Sequence, residues 1–353
     1  MFSKIDLFNK KNKYGLKDNS SILVDNTRLD PVPFADPLFI SRLFKRFVNK
    51  KLDKFRPDKS RVITRYLSIR NEDNIRQIIK SILAMKEEDA VRLLVTVMKD
   101  FESRHKDLKK IFVKNYAEVS RFVAPQEGLS AERKLLIGSY FTMEYSVEST
   151  ALFNPSVVVY PKQNDLKKGQ TRVIFSFRAT GEGHISSIVF RSAIMDSRNE
   201  VYLEPISRFV STPQVIVNPT YDKALFERKL KEIHSYGEVA EKVTGGLKDE
   251  FTYNDLKEEM EKAGQHKFEE GINVKSALEQ IKWLADCNYE VVFPAEQLIS
   301  ERVIFPVSQT ESNGIEDARF VRFAEEDGSV RYYATYTAYN GREILPQLME
   351  TRD

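Results

Sequence analysis

Residues 314–321 read GIEDARFV, which sets the carboxylates of Glu316 and Asp317 side by side and places Arg319 two positions on. Like charges repel, and a solvated turn has cheaper polar options, such as the Asn313–Gly314 that precedes them. The pair reads either as an ordinary charged turn or as a site that reserves one acid for chemistry. An acid that keeps its proton beside a neighbouring carboxylate can act as a general acid. Alternation along a strand sends neighbouring side chains to opposite faces, so one of the two is expected to enter a pocket and the other to anchor nearby backbone. By the same spacing, Arg319 is expected on the Asp317 face, to pair with the acid or to structure the turn.

The elements that would position these residues come in three textures. From about 36 to 135 apolar residues recur at helical spacing, as in Ile75, Ile79 and Ile82, then Val91, Leu94, Val95 and Met98. Asn71 ahead of Glu72 and Asp73, and Ser130 ahead of Ala-Glu-Arg, read as helix starts. About four helices are expected. From about 136 the runs become short and β-branched or aromatic: SVVVYP (156–161), RVIFSF (172–177), SSIVFR (186–191), then 200–203 and 214–217. Residues 220–288 return to a charged helical texture and read as an insertion. Strand-like runs resume at 289–293, 302–305, 318–323, 330–339 and 344–350. The expected fold class is mainly β with helical additions. Residues 1–135 would form a basic helical extension, and 136–353 a β domain interrupted at 220–288.

Composition narrows the function classes. The chain has 353 residues, 41% apolar and 30% charged, with a single cysteine, Cys287, and four histidines without clustered spacing. That excludes an internal disulfide and argues against a zinc site, so no metal and no cofactor are expected. No apolar run approaches the roughly 20 residues of a membrane span. The lysine-scattered N-terminus lacks the apolar core of a secretory signal, which makes the cytoplasm the expected compartment. Net charge is +3, yet residues 1–120 hold 27 basic against 16 acidic side chains, and residues 41–70 hold 11 against two. Such a segment suits an anionic partner or the acidic half of the same chain. No base-stacking motif accompanies it, so nucleic acid is not expected.

Four pieces, in order, resemble glycoside hydrolase family 130, the β-mannoside phosphorylases and related mannosidases: ALFNPSVV (151–158), VIFSFR with GHISSIVFRS (173–192), GIEDARFV (314–321) and YYATYTAYNGR (332–342). The resemblance covers residues 136–353, and the preceding helices resemble the N-terminal extension of one branch of the family. It implies a five-bladed β-propeller, of which about three blades, at roughly 40–45 residues each, would lie in this chain. The chain is accordingly expected to be the front part of a longer protein. Ala318 departs from the family's usual proline after the acid pair.

The resemblance also implies roles. Asp317 would be the proton donor to the leaving oxygen. Asn154 and Arg178 match the family's sugar-holding positions, and Arg342 resembles a phosphate-binding arginine of the phosphorylases. From the residues themselves, Ser187 reads either as a sugar contact or as a buried serine, and Tyr336 either as a ring stacked on sugar or as packing between blades. Glu316 is counted with the sugar site beside its backbone-anchoring role, and Arg319 with the phosphate site beside its role in the turn. The implied reaction is inverting phosphorolysis of a β-mannoside to α-mannose 1-phosphate, with inorganic phosphate as co-substrate. A phosphorylase can omit the base that an inverting hydrolase needs for water, because phosphate is already an anionic nucleophile, and arginine's planar fork suits it. An inverting β-mannosidase on the same scaffold is the alternative, and a non-catalytic binding module with a basic helical arm is a remoter one. His184 reads as a loop hydrogen-bonding residue. The helical extension is a candidate for homo-oligomer formation.

Overall fold

The structure is a computed structural model that describes residues 2–4, 55–124, 128–216 and 219–352. The helical texture expected over 36–54, and with it residues 41–54 of the basic 41–70 segment, lies outside the described residues. Strand β1 is Phe2–Lys4 and β2 is Val62–Tyr66. Four helices follow: α1 (Glu72–Leu83), α2 (Glu87–Phe101), α3 (Leu108–Val119) and α4 (Ala131–Tyr140). Both expected starts are caps. The Asn71 side chain accepts from the Asp73 backbone N–H at 2.8 Å, and the Ser130 hydroxyl accepts from that of Arg133 at 3.1 Å. The apolar stripe of α1 (Ile75, Ile79, Ile82) packs with Leu94 of α2, Phe112 of α3 and Leu136 and Ile137 of α4 in one core. Helices α3 and α4 touch at backbone level: a Cβ on Gly138 would lie 1.9 Å from the Phe112 carbonyl oxygen. Arg133 closes the group by donating to the carbonyls of Ile82 (2.6 Å) and Met85 (3.0 Å), which satisfies acceptors at the end of α1 and in the loop beyond it.

The remainder is mainly β. Strand β3 (Thr142–Ser146) pairs antiparallel with β2 in a separate two-stranded sheet. Then β4 (Ala151–Val159), β5 (Thr171–Thr180), β6 (Ser186–Met195) and β7 (Val201–Leu203) follow one another as antiparallel neighbours. Strand β8 is Gln214–Val215. The 220–288 region supplies β9 (Thr220–Asp222), α5 (Lys223–Glu232), α6 (Glu238–Gly245), β10 (Glu250–Thr252), α7 (Tyr253–Gly264) and α8 (Val274–Asp286). These elements share a core of their own, built around Phe226, Leu230, Phe251, Leu256 and Ile281. That self-contained core is what an insertion requires.

Strands β11 (Glu290–Val292), β12 (Val303–Ile304), β13 (Gly314–Ala324), β14 (Val330–Tyr339) and β15 (Ile344–Thr351) complete an 11-stranded sheet. Its path runs β4-β5-β6-β13-β14-β15-β1-β11-β8, with β7 and β12 on β6, and among the described residues it does not close on itself. The two antiparallel sets meet at one parallel pair, Gly314 with Ser186. Gly314 has φ +147°, and a Cβ there would sit 2.8 Å from the Ser186 nitrogen, so the junction demands glycine.

Two boundaries differ from expectation. Helix α4 runs through residue 136, so the β region expected from about 136 begins only at Thr142. The expected helical extension also contributes strand: β2 pairs with β3, and β1, from the first residues of the chain, lies between β15 and β11. A three-residue strand is too short to carry a periodic signal, so only its pairing identifies it.

Candidate functional site

The site begins with two β-bulges. Along β4, Phe153 pairs with Arg178 and Ser156 with Ser176, so three steps on β4 match two on β5. Along β13, Glu316 pairs with Thr337 and Arg319 with Thr335, again three steps against two. Each bulge contains one residue in the left-handed region, Asn154 at φ +51° and Asp317 at φ +53°. Asn and Asp are the side-chain-bearing residues that tolerate this conformation best. Pro155, which has no N–H to give a ladder, is accommodated inside the first bulge.

The bulges face each other. Asn154 Nδ2 donates to Asp317 Oδ1 at 2.5 Å. Arg178 donates through Nη2 to Glu316 Oε1 and makes a longer contact, 3.5 Å, from Nη1 to Asp317 Oδ1. Its Nε donates to Ser186 Oγ at 3.0 Å, and its guanidinium lies 5.0 Å from the Phe153 ring centroid. The arginine is thereby fixed by a hydroxyl, an aromatic face and two carboxylates. Arg319 Nη1 donates to the Pro155 carbonyl at 2.6 Å, and the Phe320 N–H donates to Ser156 Oγ at 3.0 Å, which ties the two bulged strands together. The Asp317 side chain is 43% exposed, against 22% for Glu316. Both donors on Asp317 reach Oδ1, and among the described residues none reaches Oδ2.

The structure brings together Asn154, Arg178, Glu316 and Asp317, and it corrects the alternation argument. Glu316 and Asp317 were expected on opposite faces, but both reach the Arg178 guanidinium, because the bulge at Asp317 interrupts the two-residue repeat. For the same reason Arg319 does not follow Asp317 onto phosphate or onto the acid. It holds the Asn154–Pro155 backbone.

Other expected residues lie elsewhere. Tyr336 is 4% exposed, on the core-facing side of β14 with Ala334 and Ala338, and its hydroxyl donates to Glu311 Oε1 at 2.7 Å. It is a core residue, not a sugar-contacting one. Glu311, fully buried, also accepts from the Tyr289 hydroxyl and from the backbone of Val307 and Ser308. Burial first, then the charges of Tyr289 and Glu311, pushes the Tyr336 phenol well above its ordinary value.

Ser187 is 1% exposed on β6, a strand buried over its first six residues, and is closed off from a sugar. Arg342 sits exposed in the β14–β15 turn, where Asn340 accepts from its backbone N–H at 2.9 Å. Its guanidinium makes no hydrogen bond with a described residue. His184 occupies the β5–β6 turn at φ +60°, exposed, and makes no hydrogen bond with a described residue either, contrary to expectation.

Sequence reasoning missed Phe153, Ser156 and Ser186. The strand-like run was read as 156–161, which left Phe153 and Asn154 ahead of it. Among the described residues there is no group of three or more His, Cys, Asp or Glu side chains placed to hold a metal ion, and no helix long and apolar enough to cross a membrane. No family model, no curated protein and no solved structure matches the chain.

Proposed function

We propose that the chain carries the catalytic acid of an inverting β-mannoside phosphorylase, with Asp317 as proton donor. The observation that supports this most is the 2.5 Å contact of Asn154 with Asp317, residues 163 positions apart, with Arg178 spanning Glu316 and Asp317. Three of the four sequence pieces that carry the resemblance thus supply side chains to one cluster. The donors from Asn154 and Arg178 fix the carboxyl plane through Oδ1. Oδ2 is left as the oxygen that delivers the proton, and the same donors stabilise the carboxylate left behind.

In this reading phosphate attacks the anomeric carbon from the face opposite the leaving group. The bond to the leaving oxygen breaks, Asp317 protonates that oxygen, and the products are α-mannose 1-phosphate and a shortened sugar. The exposed Arg342 is the arginine left to meet phosphate. The strand sets β4–β7 and β13–β15 are read as successive blades of a five-bladed propeller, with the two bulges turned towards its axis.

The hydrolytic alternative needs a second carboxylate to activate water. Glu316, the nearest acid in sequence, has its carboxylate committed to Arg178, which favours phosphorolysis. The test is incubation with β-1,2- and β-1,4-linked mannobiose, with and without inorganic phosphate, comparing the unmodified chain with Asp317→Asn. Phosphate-dependent mannose 1-phosphate, lost in the variant, supports the proposal. Free mannose without phosphate would replace it by hydrolysis, and no product from either sugar would overturn it.

A further inference from the structure

A cavity of about 130 Å³ lies further along β5 from Arg178. Val158, Ile174 and Phe190 line it from the first antiparallel set, and Phe320 and Tyr332 from the second. Phe190 and Phe320 meet edge to face at 6.0 Å, so the wall is continuous from one set to the other. The Tyr332 hydroxyl donates to the Val159 carbonyl at 2.9 Å, which leaves its ring to the cavity. An apolar cavity of about 150 Å³ accommodates a benzene-sized molecule.

Two buried polar atoms on this lining have no hydrogen-bond partner among the described residues, although Arg302 Nη2 makes a long contact, 3.4 Å, to the Gln297 carbonyl. Ser176, 3% exposed, has an Oγ without a hydrogen-bond partner, and the buried Nε of Arg302 has none either. Native interiors rarely leave such groups unpaired. Every charged residue on the lining, Lys162 and Arg302, is a cation. The Arg302 guanidinium is steadied by the Phe293 ring, 5.4 Å from its centroid, while Lys162, Pro161 and Ala295 are the exposed residues of the lining. The chemistry asked for is an apolar body with an anionic, acceptor-rich head.

We propose that this cavity is a binding site for a small apolar carboxylate of about benzoate size, its body between Ile174, Phe190 and Phe320 and its carboxylate on Arg302 and Ser176. The site is separate from the Asp317 cluster: the Ser156–Phe320 hydrogen bond lies between them, and no residue of that cluster lines the cavity. It requires no particular activity of the chain.

Isothermal titration of the full chain with benzoate, cyclohexanecarboxylate, benzyl alcohol and acetate tests it. The two ring carboxylates are expected to bind one per chain with dissociation constants below about 1 mM, at least tenfold tighter than benzyl alcohol or acetate. Arg302→Gln should weaken benzoate at least tenfold and leave benzyl alcohol unchanged. Ile174→Phe, which fills the apolar end, should abolish binding of both, and thermal melting verifies that each variant is folded. No benzoate binding to the unmodified chain would overturn the proposal, leaving the unpaired groups to water. Equal affinity for benzoate and benzyl alcohol, or benzoate binding untouched by both variants, would overturn it as well.

Discussion

Asn154 and Asp317 occupy equivalent places in two separate strands: each is the left-handed residue of a one-residue bulge, and their side chains meet at 2.5 Å. The bulges aim both side chains at one point while the strands on either side keep their ladders. Conformation and chemistry can therefore be separated at position 154. Asn154→Gly retains the left-handed backbone at little cost and deletes the donor, whereas alanine would add about 1–2 kcal/mol of backbone strain. Asn154→Gly should lower kcat by about 10- to 100-fold, the worth of a hydrogen bond to a charged group, with melting temperature little changed. Asp317→Asn should cost about 10²–10⁴-fold, as loss of a general acid does. Full activity in Asn154→Gly would show that the contact does not orient the acid.

Arg342 offers a cleaner probe of the proposed phosphate co-substrate. Its guanidinium is exposed and makes no hydrogen bond with a described residue, so replacing it disturbs no described fold contact. Arg342→Gln should raise the KM for phosphate about tenfold or more, leaving the KM for the mannoside and the melting temperature near their original values. A uniform fall in kcat with unchanged phosphate dependence would place the phosphate elsewhere.

Much of this architecture could be read from residue pattern, and what could not be read has identifiable causes. The strand run at 330–339 coincides with β14, and Asn71 and Ser130 cap the helices they were expected to start. Those signals are local: alternation, or a capping side chain within three residues. The site depended on what is not local. That Asn154 would meet Asp317 follows from the apposition of β4 and β13, which no window of sequence contains. Glu316 and Asp317 were assigned to opposite faces because alternation was assumed to run through the pair, and a bulge is invisible to a period-two argument. Tyr336 was misread for the opposite reason. Alternation did hold on β14, but which face was the core depended on Glu311 and Tyr289, from other elements.

A buried ion cluster ties the helical segment to the sheet, and its removal should be costly. The Glu148 carboxylate, fully buried, accepts from Arg61 Nε at 2.8 Å and from Arg191 Nη2 at 2.6 and 2.7 Å. Arg61 also donates to the Ser300 carbonyl at 2.6 Å. Burial, then the neighbouring Arg191 charge, draws the Arg61 guanidinium below its ordinary value, so the carboxylate is what keeps two buried cations tolerable. Glu148→Ala should destabilise by about 3–5 kcal/mol, as loss of one partner of a buried pair does. Urea denaturation measures this, and a loss under about 1 kcal/mol would mean that the guanidinium groups find water instead.

Glu144 gives a pH-dependent counterpart on β3. Burial alone would raise its carboxyl, but hydrogen bonds from Arg104 at 2.8 and 3.2 Å and the His105 ring at 2.6 Å outweigh burial and hold it below the 4.5 of an ordinary glutamate. A carboxyl depressed in the folded state contributes stability that is fully present above its unfolded value. That contribution is lost as pH falls through the folded value. Glu144→Gln should therefore be less stable than the original chain at pH 7, by about 1 kcal/mol given its partial exposure. The gap should narrow as pH drops below 4.5 and the original carboxylate takes up its proton. Melting both proteins at pH 7 and pH 4 measures it. A gap that stayed constant would assign the effect to packing of the side chain, because only an ionised Glu144 distinguishes the two proteins electrostatically.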